Sequence, residues 1–138
     1  MRDVFITHTA SELPGPPVPN EAIETYLGEV HPERKRLRDK VLKNNGIVTR
    51  HYAIDPATQQ PTCTTAQLQA AAIRTLLSEA RLGIDDIDLL SVGTAFPDFV
   101  TPGIASAVHG ELGGHGIEIA SAAGVCTASM TAFKYGAM

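Results

Sequence analysis

Two adjacent segments limit the fold of this chain more than any others. Across residues 64–82 the apolar side chains of Ala66, Ala70, Ile73, Leu77 and Ala80 recur at steps of four and three, and Leu68, Ala72 and Leu76 widen the stripe. That spacing predicts an amphipathic helix with one flank buried over most of its length. Thr64 or Thr65 offers the N-cap and Gly83 the stop. Residues 87–94 follow as a largely apolar strand, of the kind buried on both faces of a sheet. A helix running into a buried strand points to an α/β fold, in which a parallel or mixed sheet is covered by helices.

The flanking segments fit that class. Residues 4–9 read as an opening strand, and the proline-rich stretch from Pro14 to Pro19 as a stiff loop. Asn20 is placed to cap a short helix that Gly28 closes, and residues 32–42 form a second, basic helix. Asn45-Gly46 is a turn, and residues 48–54 alternate as a strand with Arg50 and Tyr52 on one side. After a loop at 97–102, residues 104–112 read as a helix closed by Gly113-Gly114. A strand at 116–120 and a helix at 127–135 complete the chain.

A length of 138 residues with 43% hydrophobic and 19% charged side chains suits one soluble globular domain. No stretch approaches the roughly 20 apolar residues of a membrane span, and the first residues are too polar for a secretory signal, so the expected location is the cytoplasm. There a disulfide between Cys63 and Cys126 is not expected, and no Cys/His spacing suggests a metal. A formal charge of −4 argues against broad attraction to nucleic acid. Against that background Arg34, Lys35, Arg36, Arg38, Lys40 and Lys43 cluster on the basic helix. The cluster is either a solvated face, with Leu37 and Val41 or Leu42 turned inward, or a docking surface for an anionic partner.

Cys126 is the most suggestive single residue. A short strand gives way to the small residues 120–124, then the thiol, then a helix. Unpaired N–H groups and the positive end of the helix dipole favour a thiolate at such a point, which makes Cys126 a candidate nucleophile. The alternative is a buried cysteine acting as a small hydrophobe. Cys63 reads as structural or incidental.

The segments around Gly46-Ile47-Val48-Thr49-Arg50, Asp88-Leu89-Leu90-Ser91-Val92-Gly93-Thr94, Thr101-Pro102-Gly103-Ile104-Ala105-Ser106 and Gly124-Val125-Cys126-Thr127-Ala128-Ser129-Met130 match, in order and spacing, those of a known group. The chain resembles the β-ketoacyl-ACP synthase III family of the thiolase-like enzymes, and within it the ketosynthases of dialkylresorcinol-type lipids. The resemblance spans residues 1–138 as the N-terminal half of the layered αβαβα thiolase-like architecture, with the C-terminal half absent.

It implies an acyl-thioester condensation in fatty acid or polyketide biosynthesis, through an acyl group carried on Cys126. No resident cofactor is implied, an acyl-phosphopantetheine thioester being the substrate. The Cys126 N–H is assigned to the oxyanion hole, and a His and an Asn are expected outside this chain, which alone should not turn over. His8, His31, His51, His109 and His115 read as ordinary surface or edge residues. Lys40 and Asn44 stand where relatives that use coenzyme A starters have Trp and Arg, which favours an acyl carrier protein docking near Arg36 and Lys40. The loop 95–101 is expected at a homodimer interface, approaching the partner subunit's acyl pocket, where Phe96 or Phe99 either contacts the acyl chain or is simply packed.

An acyltransferase on the same fold, or a non-catalytic carrier-binding or dimerisation module, is the alternative. Cys126 is expected to lie buried at the floor of a narrow passage, in the first turn of a helix whose apolar surface needs cover on nearly every side. A thiol facing open solvent would count against the nucleophile.

Overall fold

The computed structural model describes residues 3–138, which divide into two compact units: the residues up to Glu12 with Thr64–Met138, and Leu13–Cys63. The first unit is built on a parallel pair of strands, β3 (Leu89–Thr94) and β4 (Glu118–Ala123), in continuous register from Leu89↔Glu118 to Thr94↔Ala123. Parallel strands need a crossover, and helix α4 (Ile104–Leu112) supplies it. The earlier elements are β1 (Val18–Pro19), α1 (Ile23–Leu27), α2 (Pro32–Asn45), β2 (Thr49–Arg50) and α3 (Thr65–Ala80), and the last is α5 (Ala128–Gly136).

Successive side chains of a strand point to opposite faces, and β3 divides accordingly. Leu90 and Val92 are buried in one cluster with Ile104, Ala105 and Val108 of α4 and Ala66 and Ala70 of α3. Ser91 and Gly93 face α5 instead: the Ser91 hydroxyl donates to the Ala132 carbonyl at 2.7 Å. A Cβ on Gly93 would stand 2.5 Å from the Ala128 carbonyl oxygen, so only a glycine lets the α5 backbone lie directly on the strand. Helices therefore cover both faces of the β3–β4 pair, the layered α/β arrangement expected.

The expected helix at 64–82 is α3, and its start is the sequence-predicted one. The Thr64 hydroxyl accepts from the Gln67 N–H while the Gln67 side chain accepts from the Thr64 N–H, a full capping box. Its end differs. Arg81, not Gly83, takes the left-handed conformation (φ 58°), and the Arg81 and Leu82 N–H groups return to Ser78 and Leu77 carbonyls. That closure satisfies the last carbonyls two residues before the glycine is reached.

Other boundaries move as well. Residues 4–9 form no strand; Val4, Phe5 and Ile6 line an open groove with Leu89 and α5 residues such as Phe133. β4 runs on through Ala123, since pairing with β3 continues where the small residues suggested a loop. α5 begins at Ala128, with Thr127 at the cap. Only Ala128 and Ala132 of α5 are buried, so the cover expected on nearly every side is present on one side only.

In the second unit the strand expected at 48–54 is reduced to Thr49–Arg50, paired antiparallel with Val18–Pro19, plus an isolated Ile54↔Pro61 bridge. Pro19 lacks the N–H that a longer ladder would use. Asn20 does not cap a helix. Its side-chain amide donates to the Ile47 carbonyl and its oxygen accepts from Arg50, tying chain segments about 30 residues apart. Tyr52 stacks on Tyr26 with ring centroids 5.4 Å apart. α2 extends past 42 to Asn45, and Leu37 and Val41 on it are exposed rather than turned inward, Leu42 being half-buried. Among the described residues no helix is long and apolar enough to cross a membrane.

Candidate active site at the carboxyl ends of the parallel strands

In open α/β sheets, ligands bind beyond the carboxyl ends of the strands, where loops diverge to opposite faces. Here β3 and β4 end side by side at Thr94 and Ala123, with the Gly124 N–H still bonded to the Thr94 carbonyl at 3.2 Å. From that shared end one chain turns into the loop 95–102, the other into the turn 124–127 that carries Cys126 and opens α5.

Cys126 is free and exposed, which overturns the expectation of a buried passage floor and, in this chain taken alone, counts against the nucleophile. The physical reason is the bare surroundings of the turn: Val125 beside it is 77% exposed, and no described element packs over it. The turn is otherwise as expected. Cys126 stands just ahead of the first turn of α5, and Thr127 makes no side-chain cap bond, so no side chain competes for the helix's first N–H groups. Among the described residues the Cys126 N–H has no hydrogen-bond acceptor. It is available to a ligand oxygen.

Among the described residues no histidine bonds to the thiol. His51 meets the Gly15 carbonyl and His109 the His115 carbonyl, while His31 and His115 lie 3.9 Å from Glu33 and Asp85. Cys63 is free and half-buried in the other unit. Among the described residues no three His, Cys, Asp or Glu side chains are grouped to hold a metal.

The loop after β3 presents Phe96, 82% exposed, and Phe99, also exposed. It is nonetheless tied down. Asp98 receives the Thr65 N–H on one carboxylate oxygen and the Ala66 N–H on the other, both at 2.8 Å. The Thr65 hydroxyl donates to the Phe96 carbonyl, and the Phe96 N–H bonds the Thr94 hydroxyl. Partial burial pushes the Asp98 carboxyl up, but the bonds from Ala66 and Thr65 outweigh it and hold the group below the usual carboxylate range.

Phe96, Phe99 and Cys126 are thus brought to one end of the β3–β4 pair. Arg36 and Lys40 are exposed on α2, in the other unit. α2 carries an apolar groove lined by Val30, Leu37, Val41 and Leu42 and edged by Arg34 and Arg38. Arg38 is engaged by Asp39 and Glu24, which raises its pKa further, chiefly through the Asp39 bond. The sequence reading placed Asp98 only within the interface loop and missed its bonds to α3, whose N–H groups lie more than 30 positions away. It also passed over Gly93, although a glycine inside an apolar strand signals close backbone approach.

No family model matches the chain. It is 33% identical over 108 residues to a β-ketoacyl-[acyl-carrier-protein] synthase III of Dinoroseobacter shibae, a match covering 78% of this chain and 29% of that protein. Among solved structures, a tetronic acid condensing enzyme, AbyA1, superposes with a TM-score of 0.75 at 30% identity, covering 94% of this chain and 40% of that one. OleA of Xanthomonas campestris shares the fold, with a TM-score of 0.68 at 23% identity over 96% of this chain and 39% of its own. The match spans less than a third of the curated relative's length. By sequence and by fold, the chain is thus a homologue of part of the β-ketoacyl-[acyl-carrier-protein] synthase III enzymes, matched over 78% of its own length.

Proposed function

We propose that this chain contributes the nucleophile half of an acyl-thioester condensing enzyme, with Cys126 as the acyl carrier. The observation that carries this is the position of Cys126: a free thiol at the carboxyl ends of parallel strands, ahead of an uncapped helix start, with its own backbone N–H unengaged. The Cys126 thiolate attacks the thioester carbonyl. A new C–S bond forms, the carrier's sulfur leaves as a thiolate and takes up a proton, and the acyl group stays on the enzyme. The Cys126 N–H meets the oxyanion while it exists. A carbanion, formed from a malonyl-type partner by loss of CO2 or from a β-ketoacyl partner by loss of a proton, then attacks the acyl-enzyme, forming the C–C bond and releasing the Cys126 thiolate.

The His and Asn that handle the carbanion belong to the portion of the enzyme outside this chain, and the same portion covers the exposed turn and the outer side of α5. The assembled enzyme works as a cytoplasmic homodimer without a resident cofactor, its substrates held as phosphopantetheine thioesters. In the intact enzyme, Cys126→Ala should abolish transfer of a mass-tagged acyl group from acyl carrier protein while leaving the melting transition in place. Retained covalent label would sink the assignment.

Arg36 and Lys40 dock the carrier. Charge reversal at both should raise KM for acyl carrier and flatten its salt dependence, because exposed charges act mainly on association rate. Unchanged kinetics would leave α2 as a solvated face.

A further inference from the structure

From the two contacts that β3 makes on either side of the cysteine turn, we infer that Gly93 is a positioning residue for acylation of Cys126; this rests on the acyl-enzyme proposed above. Cys126 is the middle residue of the segment 124–128. At one end the Gly124 N–H donates to the Thr94 carbonyl at 3.2 Å. At the other, Ala128, itself buried, lies over Gly93, the residue just before Thr94. Two neighbouring residues of one strand thus hold both ends of the turn, and Cys126 with its N–H sits at the middle of that span.

The seat continues along α5. Ser91, two residues back on β3, donates to the Ala132 carbonyl, four residues further along the helix than Ala128. Two strand residues rise about 6.6 Å and four helical residues about 6.0 Å, so strand and helix stay in step over both contacts. The height of the first helical turn above the strand is then set by what residue 93 carries. A Cβ there would stand 2.5 Å from the Ala128 carbonyl oxygen, 2.7 Å from its carbon and 2.8 Å from the Ser129 Cα. Among the described residues no other glycine has backbone so near; at Gly103 and Gly114 the nearest atoms belong to the side chains of Ser121 and Ile84. Nor can the strand retreat, because Gly93 is paired with Ala122, and Val92 beside it is sealed under α3 and α4. A methyl group would therefore lift the Ala128 end of the turn by roughly 1 Å, the difference from an ordinary contact of about 3.5 Å, while the Gly124 end stays on Thr94. That tilts the Cys126 N–H away from the place where it meets the oxyanion, and a misplacement of about 1 Å can cost about 100-fold in rate.

The test is single-turnover loading of Cys126 from a mass-tagged acyl carrier in the intact enzyme, for Gly93→Ala and for Val92→Ala. Val92 is on the same strand but faces α3 and α4, so its truncation removes stability without touching the seat of α5. Gly93→Ala should load about 100-fold more slowly at saturating carrier, with the carrier concentration for half-maximal loading changed by less than about threefold. Val92→Ala should load within about twofold of the parent. Iodoacetamide should alkylate Cys126 in both at close to the parental rate, because a small reagent needs access to the thiol and no oxyanion site. A crystal structure of Gly93→Ala, superposed on the strands, should show Ala128 displaced by about 1 Å and Gly124 in place. If Gly93→Ala does not fold, Gly124→Pro takes its place; it removes the N–H at the other end of the turn, where a side chain meets nothing within 4 Å, and should slow loading about tenfold. Equal slowing in Gly93→Ala and Val92→Ala would reduce Gly93 to a packing residue, and a matching fall in alkylation would assign the loss to access rather than tilt. Unchanged loading in Gly93→Ala, or in Gly124→Pro where that variant is the one measured, would overturn the inference. A parent enzyme that is alkylated but never acylated would remove the proposed function, and the displacement of Ala128 would still decide whether Gly93 sets the turn.

Discussion

The two faces of the β3–β4 pair differ in how complete they are. On one, Leu90 and Val92 are sealed by α4 and α3, with Ala105 and Val108 wholly buried. On the other, α5 is fastened to Ser91 and Gly93 by its small residues, while its own large side chains Met130, Phe133 and Tyr135 remain exposed. The first face is a finished core. The second is a seat: it fixes the backbone of the cysteine-bearing helix and leaves that helix's apolar side for another surface. Burial of apolar area is the main source of stability, so these faces should respond very differently to substitution.

Leu90→Ala should show the largest effect, about 2 to 5 kcal/mol in denaturant unfolding, because it removes buried methyl groups and leaves a cavity in the sealed face. A cost near zero would mean that this face is looser than described. Gly93→Ala should come next, at about 1 to 3 kcal/mol, since the new methyl meets α5 backbone rather than a movable side chain. It should also slow acylation of Cys126 more than its stability cost explains, which stopped-flow loading would reveal.

Asp98→Ala should cost about 1 kcal/mol, as removal of a helix cap does. This contribution depends on pH. The folded-state pKa of Asp98 is depressed, so its stabilisation is fully present above the unfolded carboxyl value of about 4 and is lost as pH falls through the lower folded value. Melting curves of parent and variant should therefore stand apart at pH 6 and converge in acid. A gap that persists below pH 3 would assign the effect to packing. Phe133→Ser should have the smallest effect, within about 0.5 kcal/mol in this chain by itself, because its side chain is exposed. A cost matching that of Leu90→Ala would erase the distinction between the faces.

How legible these features were in the sequence depends on how local their causes are. The stripe and capping residues of α3 lie within one helix, and Gly113 ends α4 where expected. Strand limits depend on a partner: 4–9 read as a strand and pair with none of the described strands, whereas the small residues at the end of β4 were drawn into pairing by β3. At the site, Cys126 could be named because it follows a strand and precedes a helix, and the aromatic loop only through the family resemblance. The thiol's exposure could not, since it is set by what packs above the turn. Nor could the carboxylate from Asp98 to α3, because nothing near Asp98 in the chain marks its partner.

The hydroxyls of Ser91 and Ser121 point to opposite sides of the paired strands. Ser91 donates to the Ala132 carbonyl of α5, and Ser121 accepts the Ala105 N–H of α4. Each strand is thus riveted to a different helix, and the two strands are laced to each other throughout. α4 and α5 are thereby each referenced to the same pair of strands, and the start of the cysteine-bearing helix inherits its place from the sheet.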